Sequence, residues 1–159
     1  MIVGLIIGDG FIGLSGKRSK NARLEFEQSM KHFSYFWSVF NTLSHYCSSF
    51  PSLRIRKVFG KEWYSLQFFT RSLPCFTLLH TLFYNNGIKV IPEIIFDLLT
   101  PLALAHWICC DGSKQGTGLL LCTNAFTIPE VVQLINILIV KYLLESTLRF
   151  KNNQPMIAN

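Results

Sequence analysis

Ile2-Val3-Gly4-Leu5-Ile6-Ile7-Gly8-Asp9-Gly10 opens the chain as an apolar run that ends in a carboxylate and a glycine. Such a run, stopped by glycine, predicts a buried helix over residues 2–9. The carboxylate stands in an unfavourable place, because the last turn of a helix carries partial negative charge. A divalent cation would remove that conflict, and the terminal carbonyls of Gly8 and its neighbours could add oxygen ligands. A single Asp-Gly is ordinarily a turn. Here the pattern occurs twice, since Leu104-Ala105-His106-Trp107-Ile108-Cys109-Cys110-Asp111-Gly112 is a second apolar run closed by Asp-Gly.

Outward from these two stretches, the same order of elements is predicted twice. After the first Asp-Gly, the basic and glycine-bearing residues 13–21 read as a loop or loose hairpin. Residues 22–27 alternate apolar and polar, the period of a half-buried strand. Phe33, Phe36, Trp37, Phe40 and Leu43 form the apolar stripe of a helix over 31–48. Residues 54–58 and 63–68 flank Gly60-Lys61 and predict a hairpin. A helix over 73–86 is stopped by Asn86-Gly87, and a short helix after Ile91-Pro92 leads to Thr100-Pro101 and the second apolar helix.

Beyond Asp111-Gly112 come a polar loop at 113–118, a strand at 119–123, a helix at 129–144 and a strand at 147–151. Leu148-Arg149-Phe150-Lys151 echoes Leu53-Arg54-Ile55-Arg56. Two tandem copies predict an α+β pseudo-dimer in one chain, with halves 1–98 and 99–159. Residues 152–155 read as a hairpin turn close to the chain end. The second half is therefore expected to be incomplete, with an unpaired sheet edge.

The totals narrow the function. The 159 residues are 50% hydrophobic and 14% aromatic, enough for a packed core and unlike a disordered tail. Lys and Arg number 15 against 9 Asp and Glu, a net charge of +6, which points to a polyanionic partner. The mean hydropathy is +0.33, yet neither apolar stretch reaches the roughly 20 uninterrupted residues a span needs. Residues 98–110 are broken by Thr100-Pro101, and residues 131–144 carry Gln133, Asn136 and Lys141. No membrane is expected as a partner. Five cysteines without a CxxC argue against a disulfide framework or a zinc site and predict reduced, mostly buried thiols. The taste for Phe, Leu, Ile, Asn, Lys and Ser fits an AT-rich genome such as an organelle's.

The two nine-residue runs resemble the motif of LAGLIDADG homing endonucleases, with Gly4 and Gly8 at the small packing positions of the first. Thr100-Pro101 before the second run, and Lys89-Val90-Ile91-Pro92 before that, are similar to the two-motif, single-chain members encoded in organellar introns. The resemblance runs from residue 2 to about 151. It implies that Asp9 and Asp111 hold Mg²⁺ (or Mn²⁺), with Gly8 and Cys110 contributing backbone oxygens, and that Lys89 is the active-site lysine. It implies two curved sheets lying in the major groove of double-stranded DNA. The residues expected to face DNA are Lys17, Arg18, Lys20, Arg23, Arg54, Arg56, Lys57 and Lys61, with Gln67 able to read adenine edges. The second half offers Ser113, Lys114, Gln115, Thr117, Arg149 and Lys151. His106 and Cys110 stand where the family often has small residues, so a looser approach to Gly4 and Gly8 is expected, with His106 packed at the interface.

Two functions remain in view: a metal-dependent DNA endonuclease in a mitochondrion or chloroplast, and a non-cutting intron RNA maturase or endonuclease remnant using the same basic sheets.

Overall fold

The computed structural model describes residues 1–16 and 18–159; Lys17 lies outside the described residues. Along the chain run α1 (Ile2–Ile7), β1 (Phe11–Leu14), β2 (Ala22–Ser29), α2 (Phe33–Leu43), β3 (Ser52–Val58), β4 (Lys61–Phe69) and α3 (Pro74–Phe83). They are followed by β5 (Tyr84–Asn85), β6 (Ile88–Lys89), α4 (Ile95–Leu98) and α5 (Pro101–Asp111). The last are β7 (Gly112–Gln115), β8 (Gly118–Cys122), α6 (Ile128–Tyr142), β9 (Thr147–Lys151) and β10 (Gln154–Ala158). The chain forms two compact units, Asp9–Leu82 and Met1–Gly8 with Phe83–Asn159.

In the Asp9–Leu82 unit, four antiparallel strands lie in the order β1-β2-β4-β3. The period-2 reading of residues 22–27 describes β2 well: Ala22, Leu24 and Phe26 are fully buried while Arg23, Glu25 and Glu27 turn outward. α2 lays its stripe on the buried face. Phe26 stacks on Phe36 at 6.0 Å, and Phe68 meets Phe26, Phe36 and Phe40 at 5.8, 5.6 and 5.5 Å. Each such ring contact adds about 0.5–1.5 kcal/mol beyond the area it buries.

The second unit repeats the arrangement as β7-β8-β10-β9. α6 packs on β9 and β10 with Val131, Leu134 and Leu138 buried. A capping box starts it: Thr127 and Glu130 bond reciprocally, and Glu130 Oε1 also accepts from the Ile91 N–H at 2.8 Å. Burial would push the Glu130 carboxyl up, but its bonds to the Thr127 hydroxyl and to the Ile91 and Thr127 N–H groups outweigh that and hold it below its usual value. No helix among the described residues is long and apolar enough to cross a membrane.

Several expectations are corrected. Of the two readings of residues 13–21, the hairpin holds, since β1 pairs with β2, while the loop expected at 113–118 is largely strand, because β7 pairs with β8. The long hairpin turns at Phe59-Gly60, not Gly60-Lys61, since Val58 pairs with Lys61. Asn86-Gly87 links β5 to β6 and does not end a helix. The partner strand expected to be missing is present: β10 pairs with both β8 and β9 and gives the second sheet its fourth strand, with β7 and β9 outermost. Pro155 hid that strand, because a proline argues against a central position. It is tolerated because pairing with β8 begins only at Met156. The cysteines are half-buried or exposed, not mostly buried, with Cys75 and Cys109 on the surface.

Candidate metal site and nucleic-acid interface

α1 and α5 pack side by side within one unit. A Cβ on Gly4 would overlap the Ala103 carbonyl and lie 3.0 Å from His106 Cβ; one on Gly8 would meet Cys110 Cβ and stand 3.0 Å from its Sγ. The expectation of a looser approach is thus overturned. Cys110 fills the space that Gly8 leaves, so a larger residue on α5 is matched by the absence of one on α1. Burial and the nearby amino terminus push the His106 imidazole below its usual value, in keeping with a packing role. Asp111 is the last residue of α5, with the Gly112 N–H bonded back to Ile108 O. Lys89, carried on β6, donates from Nζ to the Gly8 carbonyl at 3.0 Å. A cationic group therefore already sits on one of the oxygens expected to face a metal.

In the other unit, Asp9 accepts a hydrogen bond at Oδ2 from Gln28 Nε2. Gln28 was missed in the sequence, although it carried a signal. It breaks the apolar series Ala22, Leu24, Phe26 on the buried register of β2, and a buried polar side chain needs a partner. A cleft of about 470 Å³ adjoins this pair, walled by Asp9, Glu27, Gln28, Arg56, Trp63 and Ser65.

Strand register sorts the expected DNA contacts by face. Arg23, Arg54, Arg56, Lys61 and Gln67 share the face of the first sheet opposite its aromatic core, together with Glu25, Glu27 and Trp63. Arg23 is tied to Glu25 at 2.9 Å and lies over the Phe69 ring, and Arg56 is tied to Glu27 at 2.8 Å. Arg54 and Lys61 make no ion pair among the described residues. Lys57 falls on the reverse face and pairs with Glu62 at 3.3 Å. Gln67 is only 6% exposed, with its Oε1 buried and unbonded. Arg18 and Lys20 are exposed in the loop before β2.

In the second sheet Arg149 and Lys151 share one face with Ser113 and Gln115, while Lys114 lies on the other; Thr117 is in the β7–β8 turn. Superposing the registers at Gly10 and Gly112 matches Phe26 to Leu121 and Gln67 to Met156. Lys151 then occupies the place of Arg54, and Arg149 that of Ser52, so the sequence echo is two residues out of register. The counterpart of Gln28 is Thr123, whose hydroxyl donates to Pro155 O at 2.8 Å.

Two apolar helices closing on Asp-Gly, each followed by the same four-stranded sheet and helix, define the LAGLIDADG class. The chain matches the LAGLIDADG DNA endonuclease family over residues 1–158 and belongs to it. Among curated relatives it is 38% identical over 152 residues to the cytochrome b mRNA maturase bI2 of Debaryomyces hansenii, covering 93% of this chain and 58% of the relative. It is 31% identical over 165 residues to the probable intron-encoded endonuclease 1 of Wickerhamomyces canadensis, covering 98% of this chain and 70% of the relative. The chain thus spans little more than half the length of the maturase. Among solved structures, the homing endonuclease I-WcaI bound to its DNA recognition sequence is similar with a TM-score of 0.90 at 30% identity, over 99% of this chain and 72% of that one. I-DmoI in complex with its target DNA, at 14% identity and a TM-score of 0.55, shares the fold alone.

Proposed function

We propose that this chain is a site-specific endonuclease for double-stranded DNA, acting in intron homing from a mitochondrial genome, with Asp9 and Asp111 as its metal-holding carboxylates. The observation that carries this reading is the contact between Gly8 and Cys110 where α1 and α5 end. Each aspartate is the next residue along the chain from one member of that contact. The two sequence halves, 1–98 and 99–159, would then each contribute one carboxylate and one sheet.

The donor set fits a hard divalent ion. Carboxylate and carbonyl oxygens suit Mg²⁺ or Mn²⁺, and the Gly8 carbonyl already accepts from a cation, Lys89. No cluster of three or more His, Cys, Asp or Glu side chains occurs among the described residues. Mg²⁺ takes one or two carboxylates and completes its shell with water and phosphate oxygens. When bound, the ion would supply an activated water and neutralise the leaving oxygen.

The chain's own groups do the rest. Gln28 orients the Asp9 carboxylate. The Lys89 ammonium, held at Gly8, is placed to balance phosphate charge. Arg54, Lys61 and Lys151 attract the DNA backbone, with Arg18, Lys20, Arg23, Arg56 and Arg149 beside them. Duplex DNA spanning the insertion site of the host intron should be cut in Mg²⁺ and left intact in excess chelator. Failure to cut that duplex in either Mg²⁺ or Mn²⁺ would overturn the reading.

Identity to relatives named mRNA maturases favours a second reading, in which the same sheets bind intron RNA. Splicing of the host intron with and without the protein tests it.

A further inference from the structure

The β3–β4 hairpin runs past the end of β2, which stops at Ser29 opposite Ser65. Its outer part, residues 55–64, has no strand beyond β3 and β4 themselves and is exposed throughout. Two aromatic side chains there are left exposed. Trp63 is 53% exposed and meets no other ring among the described residues. Phe59 is fully exposed and stands at φ +50° in the turn, a position that favours Asn, Asp or Gly and costs a bulky residue strain. Both depart from what a stable, soluble hairpin requires.

The surroundings of Trp63 say what such a ring would meet. Register places Arg56 directly opposite it, Lys61 two residues before it on the same face, and Arg54 diagonally across. Arg54 and Lys61 carry charge that no carboxylate among the described residues offsets. A flat indole among cations is complementary to a strand of bases and phosphates, with the ring stacking on a base and the cations taking the backbone. A paired duplex keeps its base faces covered, and exposing one costs a few kcal/mol. Trp63 also walls the cleft that holds Asp9 and Gln28, whose volume of about 470 Å³ is ample for a nucleobase.

We propose that Trp63, with Arg54 and Lys61, is a stacking site for an unpaired nucleotide, distinct from the reading of duplex base edges by the rest of the sheet. It rests on the nucleic-acid-binding reading above. The site takes an unstacked base from either RNA or DNA.

The test uses the whole chain with a short oligouridine RNA, the matching oligothymidine DNA, and that DNA paired to its complement. Tryptophan fluorescence is the readout: Trp107 is fully buried and Trp37 only partly exposed, so a stacked base quenches mainly Trp63. Quenching by one or both single strands, lost in Trp63→Phe, is expected; which strand quenches identifies the source. By anisotropy, Trp63→Ala should weaken single-strand binding about 5- to 150-fold and duplex binding less than about twofold, with Trp63→Phe close to wild type. Unchanged melting in both variants checks the fold. Duplex binding with no single-strand quenching, or an equal loss on both ligands, overturns the stacking site alone. Absence of binding to every nucleic acid overturns the nucleic-acid reading with it.

Discussion

The two sheets have one connection order and two different chemistries. The first carries a long hairpin, Ser52–Val58 and Lys61–Phe69, whose outer part runs past β2 with Arg56, Lys57, Lys61 and an exposed indole; the second returns after Thr147–Lys151 through Asn152-Asn153 and has nothing to match residues 55–64. The aspartates differ in their surroundings as well. Gln28 reaches Asp9 from the central strand of the first sheet. At the matching place in the second, Thr123 is committed to its own sheet through Pro155. Repetition of backbone therefore fixes where a carboxylate and a set of cations stand, while the side chains around them are free to diverge.

The largest contrast expected between the two sheets separates Gln28 from Thr123. If Asp9 holds the metal for DNA cleavage, Gln28→Leu, which removes the partner that orients it, should slow cleavage about 10- to 100-fold, the usual cost of losing a residue that supports a metal ligand. Thr123→Val loses one buried hydrogen bond and should lower stability by about 1 kcal/mol while leaving cleavage within a few-fold of wild type. Equal loss of cleavage in both would show that the halves are chemically alike after all.

The helix pair gives the next test. Gly8→Ala puts a Cβ against Cys110 and should cost about 1–3 kcal/mol in thermal or denaturant unfolding. Combined with Cys110→Gly, part of that loss should return, and the non-additivity measures the fit directly. Additive losses would mean that the two positions do not share space.

The cations come third. Arg54→Ala and Lys151→Ala, at matching places in the two sheets, should each lower the log–log salt dependence of DNA binding by about one unit if each contacts a phosphate. Arg56→Ala should lower it less, because Glu27 already holds that guanidinium. A larger effect from Arg56 would reverse this ranking.

Glu130 gives the smallest effect and belongs to the second unit alone. Its folded-state pKa is depressed, so the stability it contributes is present above its unfolded value of about 4.3 and is lost as pH falls through the folded value. Glu130→Gln should therefore lower the melting temperature at neutral pH, with the gap from wild type closing in acid. A constant gap across pH would remove the linkage.

Much of this was legible in the sequence, and the reasons are local. The two Asp-Gly helices, the alternation of β2 and the helix read at 129–144 each declare themselves locally, through periodicity and stop signals. The doubling of the pattern carried the fold. What was not legible depends on partners far along the chain. β1 and β7 are short strands that look like polar, glycine-bearing loops until β2 and β8 pair with them. Residues 154–158 are a strand only because β8 and β9 flank them, and Pro155 is harmless only because of where that pairing starts. Lys89 is expected at the candidate site from its motif alone, and its bond to Gly8 joins residues 81 apart in sequence. Gln28 could have been found as the polar member of a buried register, and Gln67, expected to read bases, proved nearly covered by its own sheet.

If Asp9 and Asp111 both hold the ion for DNA cutting, neither can lose its charge without loss of cleavage. Cleavage of duplex DNA spanning the intron insertion site is followed in Mg²⁺ for the wild type, Asp9→Asn and Asp111→Asn, with binding to the same duplex measured in parallel. Each variant keeps the side chain's size and loses its charge. Binding should persist or tighten as a carboxylate near phosphate is removed, while cutting of at least one strand should fall by several orders of magnitude in both. Double-strand cutting retained by both single variants would contradict the account.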